Sequence, residues 1–181
     1  MTLLRAITVV VAATAASAHA RPKVAFGAFD VQTVFSIRKS DNRDEVQYAL
    51  QLDERCRPRS REPVFGYWRV FEQGEPPPLL SFSWLDETAY GIVQQQVAAP
   101  GPEGVSVVSI MIRAANKRVL ELTPVSNPAG GCRVEVRTTV LGQRALLQGI
   151  FVKLALPFVE YVELRGVAVA DGTSLVERVK P

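Results

Sequence analysis

The sequence has 181 residues and a net charge of +3, with 48% hydrophobic and 22% charged residues. This length suits one domain, and so small an excess of positive charge does not predict a nucleic-acid partner. A single histidine, His19, leaves little scope for histidine-based catalysis or metal binding.

The first 20 residues have the pattern of a secretory signal peptide. A short basic opening ends at Arg5, residues 6–16 are apolar, and small residues stand at Ala18 and Ala20. We expect cleavage after Ala20 and a periplasmic or secreted location. The apolar run is shorter than the roughly 20 residues of a membrane span, so the mature chain is expected to have no transmembrane segment.

Cleavage would remove His19 and leave no histidine. A Ser-His-Asp or Cys-His site could not then be built, and a zinc site would lack its usual ligands. The sequence therefore predicts no catalytic residue, no metal site and no cofactor, and favours a protein that is not an enzyme.

The only cysteines are Cys56 and Cys132. In an exported protein the default expectation is that they form a disulfide, and the alternative is two separate buried thiols. Closing so long a loop would stabilise the fold by roughly 4 kcal/mol in the chain-entropy model.

The first half of the mature chain alternates between strands and turns. Residues 21–32 are predicted to be an N-terminal arm, and residues 33–181 a single β-domain. Residues 33–39 and 46–52 should form an antiparallel hairpin with one wet face. The charged segment 53–62 is predicted to be a solvated loop, and an anion-binding role for its four arginines is the alternative.

The segment 63–91 contains both tryptophans, Trp68 and Trp84. Residues 63–71 read as a strand that is apolar on both faces, followed by a proline-rich turn. A short helix should begin after Ser83 and end before Gly91.

Seven further strands are predicted in the second half of the chain. Asp171 and Gly172 are the signal for a two-residue hairpin turn. Together these patterns predict an all-β fold, a single antiparallel β-sandwich or β-barrel of about nine or ten strands with one short helix. The seven predicted strands are residues 92–97, 105–113, 118–123, 132–141, 145–154, 158–170 and 175–179. A helix is the alternative for residues 145–154, because that segment has a Leu-rich start.

Several short motifs lie along residues 33–181. They are the segment 39–48, the pairs Pro63-Val64 and Tyr67-Trp68, the triplet Ala89-Tyr90-Gly91, and Gly166 with Glu177. With these motifs the chain resembles the bacterial exported domain-of-unknown-function family 4833, although it has Lys39 where the family pattern has Arg and Asp44 where it has Asn. The resemblance implies one exported domain and no particular activity.

Aromatic residues grouped near polar turns are the best candidates for a binding site. We predict ligand-binding roles for five residues, and core packing of the rings is the alternative. The five are Lys39, Asn42, Tyr67, Trp68 and Tyr90.

The leading hypothesis is an exported, non-enzymatic β-domain that binds a small apolar or anionic ligand, or an envelope protein. One alternative is an envelope enzyme that uses carboxylates or a Lys without histidine. A second alternative is a structural module of an envelope assembly.

Overall fold

The computed structural model describes residues 30–71, 76–102, 104–115, 118–127, 130–155 and 158–180. The predicted signal peptide and residues 21–29 of the predicted arm lie outside the described residues. The described residues form eleven β-strands, one α-helix and a short 3-10 helix. They are β1 (Asp30–Lys39), β2 (Glu45–Leu52), β3 (Val64–Arg69), β4 (Leu79–Ser81), α1 (Trp84–Tyr90), β5 (Ile92–Val97), β6 (Val108–Ile112), the 3-10 helix (Arg113–Ala115), β7 (Leu120–Ser126), β8 (Cys132–Val140), β9 (Gln143–Ala155), β10 (Phe158–Ala168) and β11 (Ser174–Val179).

The predicted all-β fold with one short α-helix is confirmed. The strand count exceeds the expected nine or ten because β4 has only three residues and directly follows the prolines, so its sequence gave no strand signal.

The predicted two-residue turn at Asp171-Gly172 is wrong, although the hairpin itself is present. Val167 pairs with Ser174, and the Ala168 amide donates to the Thr173 carbonyl, which leaves a four-residue loop. The Asp171 carboxylate accepts a hydrogen bond from the Thr173 amide at 2.9 Å. The loop therefore consists of residues 169–172, and Asp171 and Gly172 are its last two residues.

All the strands belong to one mostly antiparallel sheet in the order β4-β3-β2-β1-β9-β8-β7-β6-β5. β10 pairs with the other edge of β9, and β11 pairs with β10. Only β1 and β9 run parallel. We call β1–β4 the first arm of the sheet and β5–β8 the second arm.

β9 joins the two arms because it changes partner along its length. Residues 143–146 pair with β8, and residues 150–152 of the same edge pair with β1. The described residues do not close the sheet through backbone pairing of β3 with β5. Instead, the Gln95 side-chain amide of β5 accepts from the Val64 amide at 3.1 Å and donates to the Val64 carbonyl at 3.4 Å.

The two arms share one hydrophobic core. β1 and β2 contribute side chains of which Ile37, Tyr48 and Leu50 are fully buried, and β6 and β7 contribute Ile110 and Leu122. Each such side chain stabilises the fold by about 1.5–3 kcal/mol relative to its exposed state. Buried and more exposed residues alternate along β6 and β7, as is typical of strands with one face on the core.

The expected wet face of the first hairpin is present on β1, where Arg38 is exposed, but not on β2. Gln47 and Ala49, on the face of β2 opposite Tyr48, are also buried. The cause is Tyr67 of β3, whose hydroxyl donates to Gln47 Oε1 at 3.0 Å and lies 2.9 Å from Thr33 Oγ1. Tyr67 and Trp68 lie on opposite faces of β3 and are both buried, so the two apolar faces predicted for this strand are both covered at these positions.

The predicted helix is confirmed as α1, and a capping box sets its start. The Ser83 hydroxyl accepts from the Asp86 amide, and the Asp86 carboxylate accepts from the Ser83 amide at 2.7 Å. Gly91 follows the helix, but its φ of −57° is open to any residue. Glycine is required there for space, because a Cβ atom would lie 2.3 Å from the Glu87 carbonyl oxygen.

Tyr48 connects the sheet to α1. Its ring stacks on Phe35 with 4.6 Å between centroids, and its hydroxyl donates to the Tyr90 carbonyl. Burial, followed by the nearby Tyr90 and Glu87, raises the pKa of the Tyr48 hydroxyl far above its ordinary value.

The predicted disulfide between Cys56 and Cys132 is confirmed, with 5.5 Å between the Cα atoms. It links the charged loop after β2 to the first residue of β8, and so joins the first arm to the second. Within the loop, Arg57 forms an ion pair with Asp53 at 2.7 Å.

Replacing both cysteines tests how much this link contributes. We expect Cys56→Ala with Cys132→Ala to lower the free energy of unfolding by up to roughly 4 kcal/mol, because the unfolded chain regains the freedom of a 76-residue loop. Urea unfolding with and without a thiol reductant is the measurement. The reductant should lower the midpoint of the wild type and leave the double variant unchanged. Equal midpoints for all four samples would contradict the prediction.

The Tyr48 hydroxyl should stabilise the fold at neutral pH and lose that effect in alkali. We expect Tyr48→Phe to cost about 1–3 kcal/mol at pH 8, since the Tyr90 carbonyl loses its partner. The folded pKa lies above the unfolded value, so the wild type loses stability as the pH rises beyond about 10. The difference between the two proteins should therefore shrink between pH 8 and pH 11 in urea titrations. Tyr161→Phe, on the outer face, is the control and should change little.

Candidate functional site

Three of the five predicted site residues form one cluster. Lys39 Nζ lies 4.6 Å from the centroid of the Trp68 ring and 3.5 Å from Asp41, and Trp68 meets Tyr90 edge to face with 5.6 Å between centroids. Burial raises the pKa of Tyr90 to about 12, and the charges of Asp41 and Asp86 add to the shift. A cation over an indole ring contributes about 0.5–2 kcal/mol, so this cluster also has a structural role.

The cluster lies at the end of the inner face of the first arm and is largely closed to solvent. Trp68 is 6% exposed, and its Nε1 has no hydrogen-bond partner among the described residues. None of the three cavities described below is lined by Trp68 or Tyr90. Ligand binding by these rings stays a prediction.

Tyr67 and Asn42 lie apart from the cluster. Tyr67 is on the opposite face of β3, where it binds Gln47. Asn42 is in the turn after β1, and its Oδ1 accepts from the Asp44 amide at 3.1 Å. Asn42 and Lys39 nevertheless line one cavity of about 380 Å³, together with Arg38, Arg43, Asp44, Glu45, Phe71 and Phe151.

A second cavity of about 520 Å³ adjoins this one on the outer face of the sheet. The two cavities share Arg38 and Phe151, and we call them together the arginine cleft. The second cavity lies where β9 leaves β8 and joins β1. Its lining residues are Ser36, Arg38, Gln148, Gly149, Ile150, Phe151 and Arg165.

Buried carboxylates orient the arginines of the cleft. Arg38 Nε donates to Glu45 Oε1 at 2.9 Å, and Arg165 Nε donates to Glu163 Oε1 at 2.7 Å. The Arg178 Nε donates to the other Glu163 oxygen at 2.7 Å. The Arg38 and Arg165 side chains are 72% and 61% exposed, whereas the Glu163 side chain is 3% exposed.

This arrangement presents positive charge to solvent. Three guanidinium groups share two carboxylates, which leaves one net positive charge, and the negative groups lie beneath the positive ones. Hydrogen bonds from Arg178 and Arg165 hold the pKa of the Glu163 carboxyl below its ordinary value. Glu163 therefore stays ionised and keeps both guanidinium groups in place at neutral pH.

Gly149 leaves the base of the cleft open. A Cβ atom at this position would meet no atom within 4 Å. The side chain of Phe151 provides an adjacent apolar surface. Guanidinium groups with fixed orientation bind carboxylate and phosphate groups through paired hydrogen bonds, so the cleft has the chemistry of an anion-binding site.

Arg38, Gly149 and Arg165 are not among the site residues predicted from the sequence. The two-residue spacing of Glu163 and Arg165 puts them on one face of a strand, which is a weak local signal. Their approach to Arg38 depends on the pairing of β1 with β9, for which no local pattern exists.

The buried carboxylates do not form a catalytic pair. Asp86 belongs to the capping box of α1, and Glu163 pairs with two arginines on the outer face of β10 and β11. A glycosidase-like site needs two carboxylates that face each other across a cleft. The described residues thus give the carboxylate-enzyme alternative no support.

Fold and site together define a disulfide-bonded all-β domain with an open, mostly antiparallel sheet and an arginine-lined cleft on one outer face. The chain belongs to the family described as Domain of unknown function (DUF4833), which it matches over residues 35–178. Searches of curated proteins and of solved structures found no match. Within the described ranges, no helix has the length and hydrophobicity needed to cross a membrane.

The role of Glu163 can be tested through acid titration. A carboxyl with a lowered pKa stabilises the folded state above its ordinary pKa, and this stabilisation is lost as the pH falls through the lowered value. We expect Glu163→Gln to be less stable than the wild type at pH 7 and to lose less stability between pH 7 and pH 3. Urea midpoints across this range are the measurement.

Glu135→Gln is the matched control for this titration. Glu135 also pairs with two arginines, Arg133 and Arg137, but its side chain is more exposed, at 24%. Solvent screening should make its contribution smaller. Parallel pH curves for wild type and Glu163→Gln would contradict the prediction.

Proposed function

We propose that the protein is an exported, non-enzymatic β-domain that binds a small organic anion in the arginine cleft. The observation that carries the proposal is the pair of exposed guanidinium groups of Arg38 and Arg165, each held by a carboxylate that is largely buried. Since the orientation of these groups is set before a ligand arrives, binding loses little side-chain entropy.

The shape of the cleft supports a ligand with one anionic group and a small apolar part. Arg38 and Arg165 would bind a carboxylate or phosphate, and the apolar part would lie against Phe151 over the space left by Gly149. Lys39 and Asn42, predicted from the sequence as ligand contacts, line the adjoining cavity and would contact a longer ligand.

Export is supported by two independent features. Residues 1–20 have the composition of a cleaved signal peptide, and Cys56 and Cys132 form a disulfide, which is rare in proteins of reducing compartments. We infer a periplasmic or secreted domain. Mass spectrometry of the protein from the producing cell should show an N-terminus at Arg21.

Binding is tested by calorimetry of the disulfide-intact protein with phenyl phosphate, benzoate and inorganic phosphate. We expect at least one organic anion to bind more tightly than inorganic phosphate. Arg38→Ala and Arg165→Ala should each weaken binding about ten- to a hundredfold, the loss of one charge-assisted interaction. Arg133→Ala is the matched control, because Arg133 is 65% exposed and also pairs with a glutamate, Glu135, on the other arm.

Filling the base of the cleft should abolish binding without unfolding the protein. Gly149→Ala and Gly149→Leu both direct a side chain into open space, so both should fold with at least wild-type stability. We expect the leucine variant to lose binding and the alanine variant to keep part of it. Wild-type affinity in Gly149→Leu, or in both arginine variants, would refute the proposal.

A further inference from the structure

The largest of the described cavities, about 780 Å³, lies on the outer face of the second arm. One side of it is the outward face of β6–β8, and the other is the loop between β5 and β6. In the described part of that loop, the Ala98 amide donates to the Val107 carbonyl at 2.9 Å and the Gly101 amide donates to the Val105 carbonyl at 3.0 Å. Main-chain hydrogen bonds therefore hold both described sides of the cavity.

One part of the cavity is apolar. The loop and the neighbouring strand β7 contribute aliphatic side chains and a proline there. These residues are Ala98, Pro102, Val105, Val107 and Val125. Such a surface favours the hydrocarbon part of a ligand.

The other part of the cavity contains Arg137, and not every nitrogen of its guanidinium group has a hydrogen-bond partner within the described part of the chain. Its Nη2 donates to Glu135 Oε2 at 2.8 Å, while its Nε is buried and has no hydrogen-bond partner among the described residues. A buried donor without a partner destabilises the folded state by about 1–3 kcal/mol. A group that accepts from this guanidinium would therefore be favoured in the cavity.

Among the described residues, the ion pairs at the cavity leave a single positive surplus. Two lining carboxylates, Glu121 and Glu135, pair with the lining arginines Arg144 and Arg137 and with Arg133, which lies outside the lining. Arg144 binds Glu121 at 2.6 Å, and Arg133 and Arg137 share Glu135 at 2.7 and 2.8 Å. One negative charge would neutralise this set.

From these observations we propose a second binding site, separate from the arginine cleft, for an amphiphile with one negative charge, such as a long-chain carboxylate. Its head group would accept hydrogen bonds from Arg137, and its chain would lie along Val105, Val107 and Val125. The site is independent of the proposed function, because it shares no lining residue with the arginine cleft.

The test is titration of the disulfide-intact protein with dodecanoate, kept below its micelle concentration. Calorimetry should give one dodecanoate per chain, and the Nε–H resonance of Arg137 should shift in nitrogen–proton NMR spectra. Dodecanol, which has the same chain and no charge, should bind at least tenfold more weakly. No binding of dodecanoate, or equal binding of dodecanol, would overturn the proposal.

Variants locate the site and separate it from the arginine cleft. Arg137→Gln should weaken dodecanoate binding tenfold or more and leave phenyl phosphate binding unchanged, whereas Arg38→Ala should do the reverse. Val105→Asp, in the loop, tests the apolar side without altering Arg137 and should also abolish dodecanoate binding. Wild-type dodecanoate affinity in both Arg137→Gln and Val105→Asp, or displacement of dodecanoate by phenyl phosphate, would show that this second site does not exist.

Discussion

The change of partner along β9 is the constraint on which the rest of the structure depends. One 13-residue strand pairs first with β8 and then with β1, while β10 pairs with its other edge throughout. The two arms therefore diverge from a common strand and can pack their apolar faces on each other. The same divergence opens the outer face near Gly149, so the cleft is a direct result of how the two arms are joined.

A disulfide and a buried hydrogen bond then hold distant parts of the fold in their relative positions. The disulfide links the loop after β2 to β8, and Tyr48 binds the main chain at the end of α1. Both contacts cross between segments that are distant in sequence. Since hydrophobic packing is not directional, such contacts specify one arrangement among several of similar burial.

Local features of the fold could be predicted from the sequence, and long-range features could not. The alternation in β7 and β8, the Ser83 cap of α1 and the pairing of two cysteines each depend on short patterns or on composition. The burial of Gln47 depends on Tyr67, and the cleft depends on Arg38 meeting Arg165. These contacts depend on the order of the strands in the sheet, and the alternation within one strand does not indicate that order. The aromatic residues predicted to bind a ligand, Tyr67, Trp68 and Tyr90, are buried or packed against the core.

The Gln95 side chain affects which backbone groups of the sheet edge are available to another copy of the protein. An open sheet presents unpaired backbone groups, and these are templates for strands of another chain. β4 pairs with residues 67–69 of β3 and does not reach Val64. The Gln95 side chain instead binds the Val64 amide and carbonyl. The Gln95 side chain thus leaves neither backbone group of Val64 free to pair with a strand of another chain.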